Sequence, residues 1–299
     1  VEQTVARTSA LGGRVPMRTV RGTSTFTNFG VGESTLQKVV PGAAPDGTVN
    51  KFGKRSLSVD TLIPARAVFP PLETVQTSDG ARRDVGAAHG KRIAKFRDES
   101  FFIQAVKSAL LGATTYAGLD AAAGHFGGTQ VTLAAAADAE DPALLYTALV
   151  DLFVGMEQKD VDPMTDDVLV AVSPAHYAVL EQNELLIDRN IILSDGNSIQ
   201  ARVLKARGVP VVSSNNFVGG KTIAGHLLSN VDNANAYDGD FSKVVACAFS
   251  PRALMAGQTI PLTTGVFWSD VYKQWLVDAW LSYAVGPNRP EFAGVVLRP

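Results

Sequence analysis

The sequence predicts an α+β fold whose first third is open: an extended hairpin runs into one very long helix. Two observations carry this. The first is a pair of strand-like runs. Leu57, Val59, Thr61 and Ile63 alternate with Ser56, Ser58, Asp60 and Leu62, mostly the period of two of a half-buried strand. Upstream, the β-forming run from Thr23 to Phe29 lies between Gly22 and Gly30. The intervening loop is rich in glycine and proline, and at about twenty residues it is far longer than an ordinary hairpin turn. Two strands alone are marginal in water, and no third strand is evident nearby, so something else must cover them.

The second observation is the helix. Thr77, Ser78 and Asp79 offer N-cap chemistry, no proline follows before Leu111, and Ile93, Phe96, Ile103, Val106 and Leu110 fall at steps of three and four. Such a helix, about 31 residues long, spans roughly 46 Å, against a radius of gyration of about 20 Å for a compact chain of this length. It therefore crosses nearly the whole molecule. Gly86 and Gly90 weaken its start, and two shorter helices meeting at Gly90 are the alternative.

Later elements follow in order. Residues 112–140 are rich in alanine and glycine, with a short strand candidate at Gln130–Leu133, and read as a flexible connector. Asp141 and Pro142 open an amphipathic helix with Leu145, Leu149, Leu152 and Met156 on one stripe. The apolar run Val168–Val172 is typical of a strand covered on both faces. Ser173 and Pro174 cap a helix running to about Asn183, and Gly208–Val212 and Val244–Phe249 are further strand candidates. The chain after Gln258 is β-rich, including Leu276–Tyr283.

With 299 residues, 46% of them hydrophobic, the chain suits one large or two ordinary globular domains. No apolar run reaches the roughly 18 residues a membrane span needs, so no membrane partner is expected. It opens on Val1, as expected of a chain from which an upstream piece was removed. The lone Cys247 sits in an apolar run and reads as a buried thiol. Net charge is only −2, but residues 1–110 carry 16 Lys and Arg against 9 Asp and Glu, a balance of +7, and the remainder is −9. A basic part and an acidic part on one chain fit contacts between copies or a surface facing a polyanion.

No catalytic constellation emerges. Gly219, Gly220, Lys221 and Thr222 end like a phosphate-binding loop, but that motif needs glycine where Asn215 stands. His89, His125, His176 and His226 have no zinc-ligand spacing. Asp160, Asp162, Asp166 and Asp167 lack the glycine and terminal glutamate of a calcium loop, and Asp232, Asp238 and Asp240 also read as loop residues. Neither catalytic residues, cofactor nor metal is expected.

The segment from Tyr283 to Val296, containing Arg289-Pro290-Glu291 and Ala293-Gly294, resembles the C-terminal end of major capsid proteins of tailed bacteriophages, the short-tailed branch above all. Val5–Ser9 and Met17–Val20 resemble that family's arm, and Lys54–Asp60 its hairpin. Asp166–Tyr177 and Arg207–Val212 resemble its middle domain. Residues 112–140 match nothing in that pattern, and Pro287-Asn288 replaces a more usual glycine-rich step. The resemblance implies an N-terminal arm (1–21), an extended hairpin loop (22–66), a peripheral domain including the spine helix (67–163 and 266–299) and an axial domain (164–265). It implies a structural protein that assembles with itself into pentamers and hexamers, with scaffolding and portal proteins and packaged double-stranded DNA as partners. The implied location is the virion, with assembly in the host cytoplasm. On that expectation Lys51, Lys54, Arg55 and Arg66 meet an acidic neighbouring surface. Arg82, Arg83, Lys91, Arg92, Lys95 and Arg97 face the genome, unless they are merely solvated. An encapsulin-type nanocompartment shell and a monomeric α/β hydrolase or binding protein are the alternatives.

Overall fold

The computed structural model describes residues 9, 11, 13–34, 36–38, 41–42, 47, 49–69, 81–183, 187–188, 191–192, 198–199 and 203–299. The chain order is β1 (Met17–Thr19), β2 (Thr25–Val31), β3 (Phe52–Ser58), β4 (Ile63–Phe69), α1 (Ala81–Leu110), β5 (Thr129–Thr132), α2 (Pro142–Glu157), β6 (Leu169–Val172) and α3 (Pro174–Leu180). Then follow the short strands β7 (Ile187–Asp188), β8 (Ile191–Ile192) and β9 (Ser198–Ile199), with β10 (Val203–Ala206) and β11 (Val209–Ser213). Last come β12 (Thr222–Ile223), β13 (Gly239–Asp240), β14 (Val244–Phe249), β15 (Leu254–Ser269), β16 (Gln274–Pro287) and β17 (Ala293–Leu297).

A seven-stranded mixed sheet runs β5-β17-β14-β6-β11-β10-β7. Its two faces take different helices. Phe249 on β14 meets Phe102 of α1 with ring centroids 6.3 Å apart. Gly294, one residue beyond Phe249's partner Ala293, lies against Leu152 of α2 so closely that a Cβ would sit 2.8 Å from Leu152 Cδ1. Neighbouring residues of a strand point to opposite faces, so α1 and α2 sandwich the sheet. That is why every residue of β6 and β14 is buried.

A second sheet, β1-β15-β16-β4, covers the other side of α1. Tyr283 of β16 shares a 2.9 Å hydrogen bond with Ser100 and packs beside Phe101. Held between two sheets, the helix is buried nearly all round from Ser100 to Ala109, far beyond one stripe, while Leu110 at the stripe's end is 37% exposed. Its polar side chains there are satisfied locally: Gln104 donates to Ala236 O (2.9 Å) and Lys107 to Ala236 O (2.8 Å) and Asp238 O (2.6 Å). Burial holds the Lys107 ammonium below its ordinary value.

Several expectations need correcting. The run 56–63 is not one strand: β3 stops at Ser58, and Ile63 begins β4 in another sheet. Val59 is buried and its N–H bonds to Ser24 O at 2.7 Å, the last rung at the foot of the hairpin before the chain crosses to the other sheet. The first strand is shifted to Thr25–Val31 because Gly30 pairs with Gly53 inside the ladder instead of ending it. The third helix ends at Leu180, short of Asn183. β15 runs unbroken through residues 265 and 266, and β5 and β17 share a sheet with β6, β7, β10, β11 and β14. The cap residues Thr77–Asp79 lie outside the described residues. The helix 81–110, the capping of α2 by Asp141 with Pro142 in its first turn, and the buried Cys247, whose thiol burial pushes up, stand as read.

The largest correction concerns 112–126. It is no flexible connector: Tyr116 and Leu119 are 3% and 4% exposed. Beyond it, Gly128 N donates to Leu111 O (2.7 Å), and Lys159 Nζ donates to Gly127 O (3.0 Å) and Gly128 O (2.9 Å). A Cβ at Gly128 would lie 2.2 Å from Ala109 O, whereas one at Gly112 meets open space. Gly128→Ala should therefore cost about 2–3 kcal/mol, and Gly112→Ala should be neutral or stabilising by under about 1 kcal/mol. Denaturant midpoints of the two variants check this; equal midpoints would restore the connector.

His226 is stacked between Phe96 (4.9 Å) and Tyr237 (5.3 Å), and its Nδ1 accepts from Leu228 N (3.2 Å). Burial outweighs nearby Asp238 and lowers its pKa; His176 is lowered too, by burial and then Arg298. The unfolded chain then binds more protons below about pH 6.5, so stability is full above that value and falls as the pH drops. Urea midpoints at pH 7.5 and 5.5 should show this loss, and His226→Phe should shrink it.

Candidate assembly surface

The hairpin β2–β3 forms its own two-stranded sheet. Its register pairs Phe26 with Leu57, Asn28 with Arg55, Gly30 with Gly53, Phe29 with Lys54 and Val31 with Phe52. The period of two therefore sorts these residues onto two faces.

The inner face holds Phe26, Leu57, Asn28, Arg55 and the glycine pair. Phe26 and Leu57 pack on the backbone at Gly257 and Gly286, where a Cβ would sit 2.3 Å from Phe26 Cε1 and 3.1 Å from Leu57 Cδ1. At the glycine pair there are no side chains, so Tyr116 and Leu119 lie directly on the strands: a Cβ on Gly30 would be 2.9 Å from both. Asn288 ties this region together. Its Oδ1 accepts from Tyr116 Oη (2.6 Å) and Asn28 Nδ2 (3.2 Å), and its Nδ2 donates to Arg252 O (3.1 Å).

The outer face carries the opposite arrangement. Phe29, Val31 and Phe52 are 74%, 54% and 69% exposed and sit side by side at its far end, with Lys54 beside Phe29. A two-stranded ribbon with apolar side chains on both faces is incomplete in isolation. A second exposed apolar surface lies at the tip of β15–β16, where Val266, Phe267 and Trp268 lead into Val271 and Tyr272, 83% and 72% exposed.

The four charged contact candidates do not form one patch. Lys51 and Lys54 are exposed near the outer apolar cluster. Arg55 points inward beside Tyr116, half-buried, and desolvation lowers its pKa. Arg66 lies on β4, in the other sheet, where it forks onto Asp278 directly across the ladder (Nε–Oδ1 2.8 Å, Nη2–Oδ2 2.6 Å). That bond raises the Arg66 pKa.

On α1, Arg83, Lys91, Arg92 and Lys95 are exposed, and the last three are neighbours at steps of three and four. Arg97 is half-buried, with Nη2 3.0 Å from Met17 Sδ and its guanidinium 5.8 Å from the Phe101 ring. The Arg82 side chain lies outside the described residues. Reading charges alone missed Phe29, Val31 and Phe52. Their signal was present, since three large apolar residues share one face once the register is known.

Among the described residues, no group of His, Cys, Asp and Glu could hold a metal ion, and no helix is long and apolar enough to cross a membrane. Gly219 and Gly220 form a turn before β12, with no phosphate cradle.

Substituting Gly53 tests the saddle made by 112–126. A Cβ there would meet Ala117 O and Tyr116 Cβ at 3.0 Å. Gly53→Val should lift the segment and open Tyr116 and Leu119 to chymotrypsin, two sites at which the parent chain resists; equal cleavage rates at those sites would refute the close packing.

No protein-family profile matches the chain, and no curated protein matches it in sequence. Solved structures do. The capsid structure of the cyanophage P-SCSP1u superposes with a TM-score of 0.77 at 18% identity, over 95% of this chain and 86% of that one. The mature capsid of bacteriophage PhiM1 gives 0.75 at 23% identity with the same coverage. A virus-like particle from Pyrococcus furiosus gives 0.56 at 12% identity, over 99% and 95%. The chain therefore has the fold of phage capsid subunits, over almost its whole length.

Proposed function

We propose that this chain is the major capsid protein of a tailed bacteriophage. It is a structural, non-catalytic subunit that closes into pentamers and hexamers of an icosahedral head around double-stranded DNA. The observation that carries this is the hairpin's outer face: Phe29, Val31 and Phe52 stand exposed on a chain whose fold is that of capsid subunits. Covering such surface drives association at roughly 25 cal/mol per Å² before ordering costs.

Charge then sets register more than strength. Lys51 and Lys54, flanking the apolar cluster, meet acidic surface on a neighbour. Rings close because the contact joins different patches of identical copies through a fixed rotation. Arg83, Lys91, Arg92 and Lys95 offset phosphate charge without reading sequence. Arg66 and Arg97, engaged within the chain, contribute less to either contact. Scaffolding and portal proteins are the further partners, and the virion is the destination after assembly in the host cytoplasm.

An encapsulin-type shell is the second reading, and the higher TM-scores of the two phage capsids favour it less. Packaged protein in place of nucleic acid would select it.

Purified chain, alone and with a scaffold protein, should give closed shells, rings or sheets in negative-stain microscopy; a monomer under every condition overturns the proposal. Replacing Phe29 and Phe52 together by serine should change the stability of the single chain by less than about 0.5 kcal/mol, since both are exposed, yet abolish particles. Lys51→Glu with Lys54→Glu should slow assembly most at low salt.

A further inference from the structure

We infer that Asn288 is the latch that fixes the angle of the β2–β3 hairpin on the body. The hairpin shares no ladder with any other sheet, so nothing in its backbone pairing sets that angle. Its feet are pinned to the body: Val20 N donates to Gln258 O (2.9 Å), and Ser282 Oγ to Thr61 O (2.9 Å). Beyond the feet its inner face rests on the body at Phe26, Leu57 and the glycine pair, and its far end meets the 112–126 segment through His125 Nε2 at Val31 O (3.1 Å) and Glu33 N donating to Ala123 O (3.1 Å). Between these contacts and the feet an open cleft of about 210 Å³ remains, lined by Phe26 and Asn28 of the hairpin and by Arg18, Arg252, Met255 and Asn288 of the body. The pose of the ribbon over that cleft is set by what spans it.

Asn288 is the tie that spans it. Its side chain joins three elements: the hairpin through Asn28, the 112–126 segment through Tyr116, and the turn before β15 through Arg252 O. Its main chain adds two more, accepting from Thr115 Oγ1 and donating to Ala253 O at 2.8 Å. Arg18 Nη1 also donates to Asn28 Oδ1 (2.6 Å), orienting the amide so that its NH₂ faces Asn288. A side chain that only stabilised its own turn would not reach across the cleft. The latch is a property of the single chain and holds whether or not copies assemble.

The test compares the unassembled parent chain with Asn288→Ala, which keeps both main-chain bonds, and with Asn28→Ala, which removes only the hairpin's side of the tie. Hydrogen exchange is followed by mass spectrometry over 25–31 and 52–58, with β14 and β17 as the internal reference. Both variants should speed exchange in the hairpin by about tenfold or more, with β14 and β17 unchanged, as a locally opening unit does. Tyr116→Phe should move it in the same direction by less. Unchanged hairpin exchange in Asn288→Ala would overturn the latch. So would acceleration of β14 and β17 by the same factor, which would make Asn288 a general structural residue. Loss of assembly in a variant whose hairpin exchanges normally would bear on the shell reading alone.

Discussion

Burial of the C-terminal part of α1 on all sides is the constraint on which the rest of the molecule depends. A helix of 30 residues between two sheets has no wet face along its second half, so its polar side chains must find partners in the protein. Ser100 finds Tyr283, Gln104 and Lys107 find carbonyls of 236 and 238, and Asp98 accepts from Ser9 and Asn216. These bonds draw the N-terminal residues, the loop before β14 and the long strand β16 onto one rod. Breaking any of them leaves a buried polar group unpaired, which costs more than the bond itself adds. Both sheets are thereby held at fixed positions along a rod about 45 Å long.

The hairpin is the element this rod cannot reach. Its inner face is held by absent side chains as much as by present ones: Gly30 and Gly53 let Tyr116 and Leu119 touch the strand backbone, and Gly257 and Gly286 do the same for Phe26 and Leu57. Close backbone approach gives a thin, well-defined contact with little apolar area. Little free energy is then invested in holding the hairpin, and its outer face keeps apolar side chains that nothing in the chain covers. A hairpin so mounted meets another surface easily and has one preferred pose when it does.

Much of this was legible in the sequence. The length of α1, the capping of α2, the doubly covered β6 and the buried Cys247 follow from periodicity, cap residues and apolar runs. Those signals are local, and each element's own residues carry them. What failed was non-local. The break after Ser58 is invisible to alternation because β3 and β4 are both half-buried and keep the same period across the turn. Residues 112–140 look like a linker because alanine and glycine carry no pattern, yet Gly128 is required by the carbonyl of Ala109, a contact no short window of sequence contains. Charges were over-read for a similar reason: Arg66 and Arg55 resemble Lys51 and Lys54 until the register sends one to Asp278 and turns the other inward. The departure at Pro287-Asn288 falls at the most heavily bonded position of the hairpin's mount.

The segregation of charge along the chain also acquires a physical meaning. Part of it is consumed internally, since Arg14 and Arg66 pair with Asp167 and Asp278. Basic groups of the first third thus meet acids of the remainder within one molecule, tying the two parts of the chain together. The cations left over are not spread evenly. Lys51 and Lys54 sit around the exposed apolar end of the hairpin, and Lys91, Arg92 and Lys95 line one stretch of α1. Solvated lysines contribute little to the stability of a single chain. Beside an apolar patch, a pair of lysines costs almost nothing in the monomer and rejects every approach that brings like charge against it. In the proposed shell the patch would supply attraction without direction, and the lysines direction without much attraction. A surface that must find one register among identical neighbours needs both.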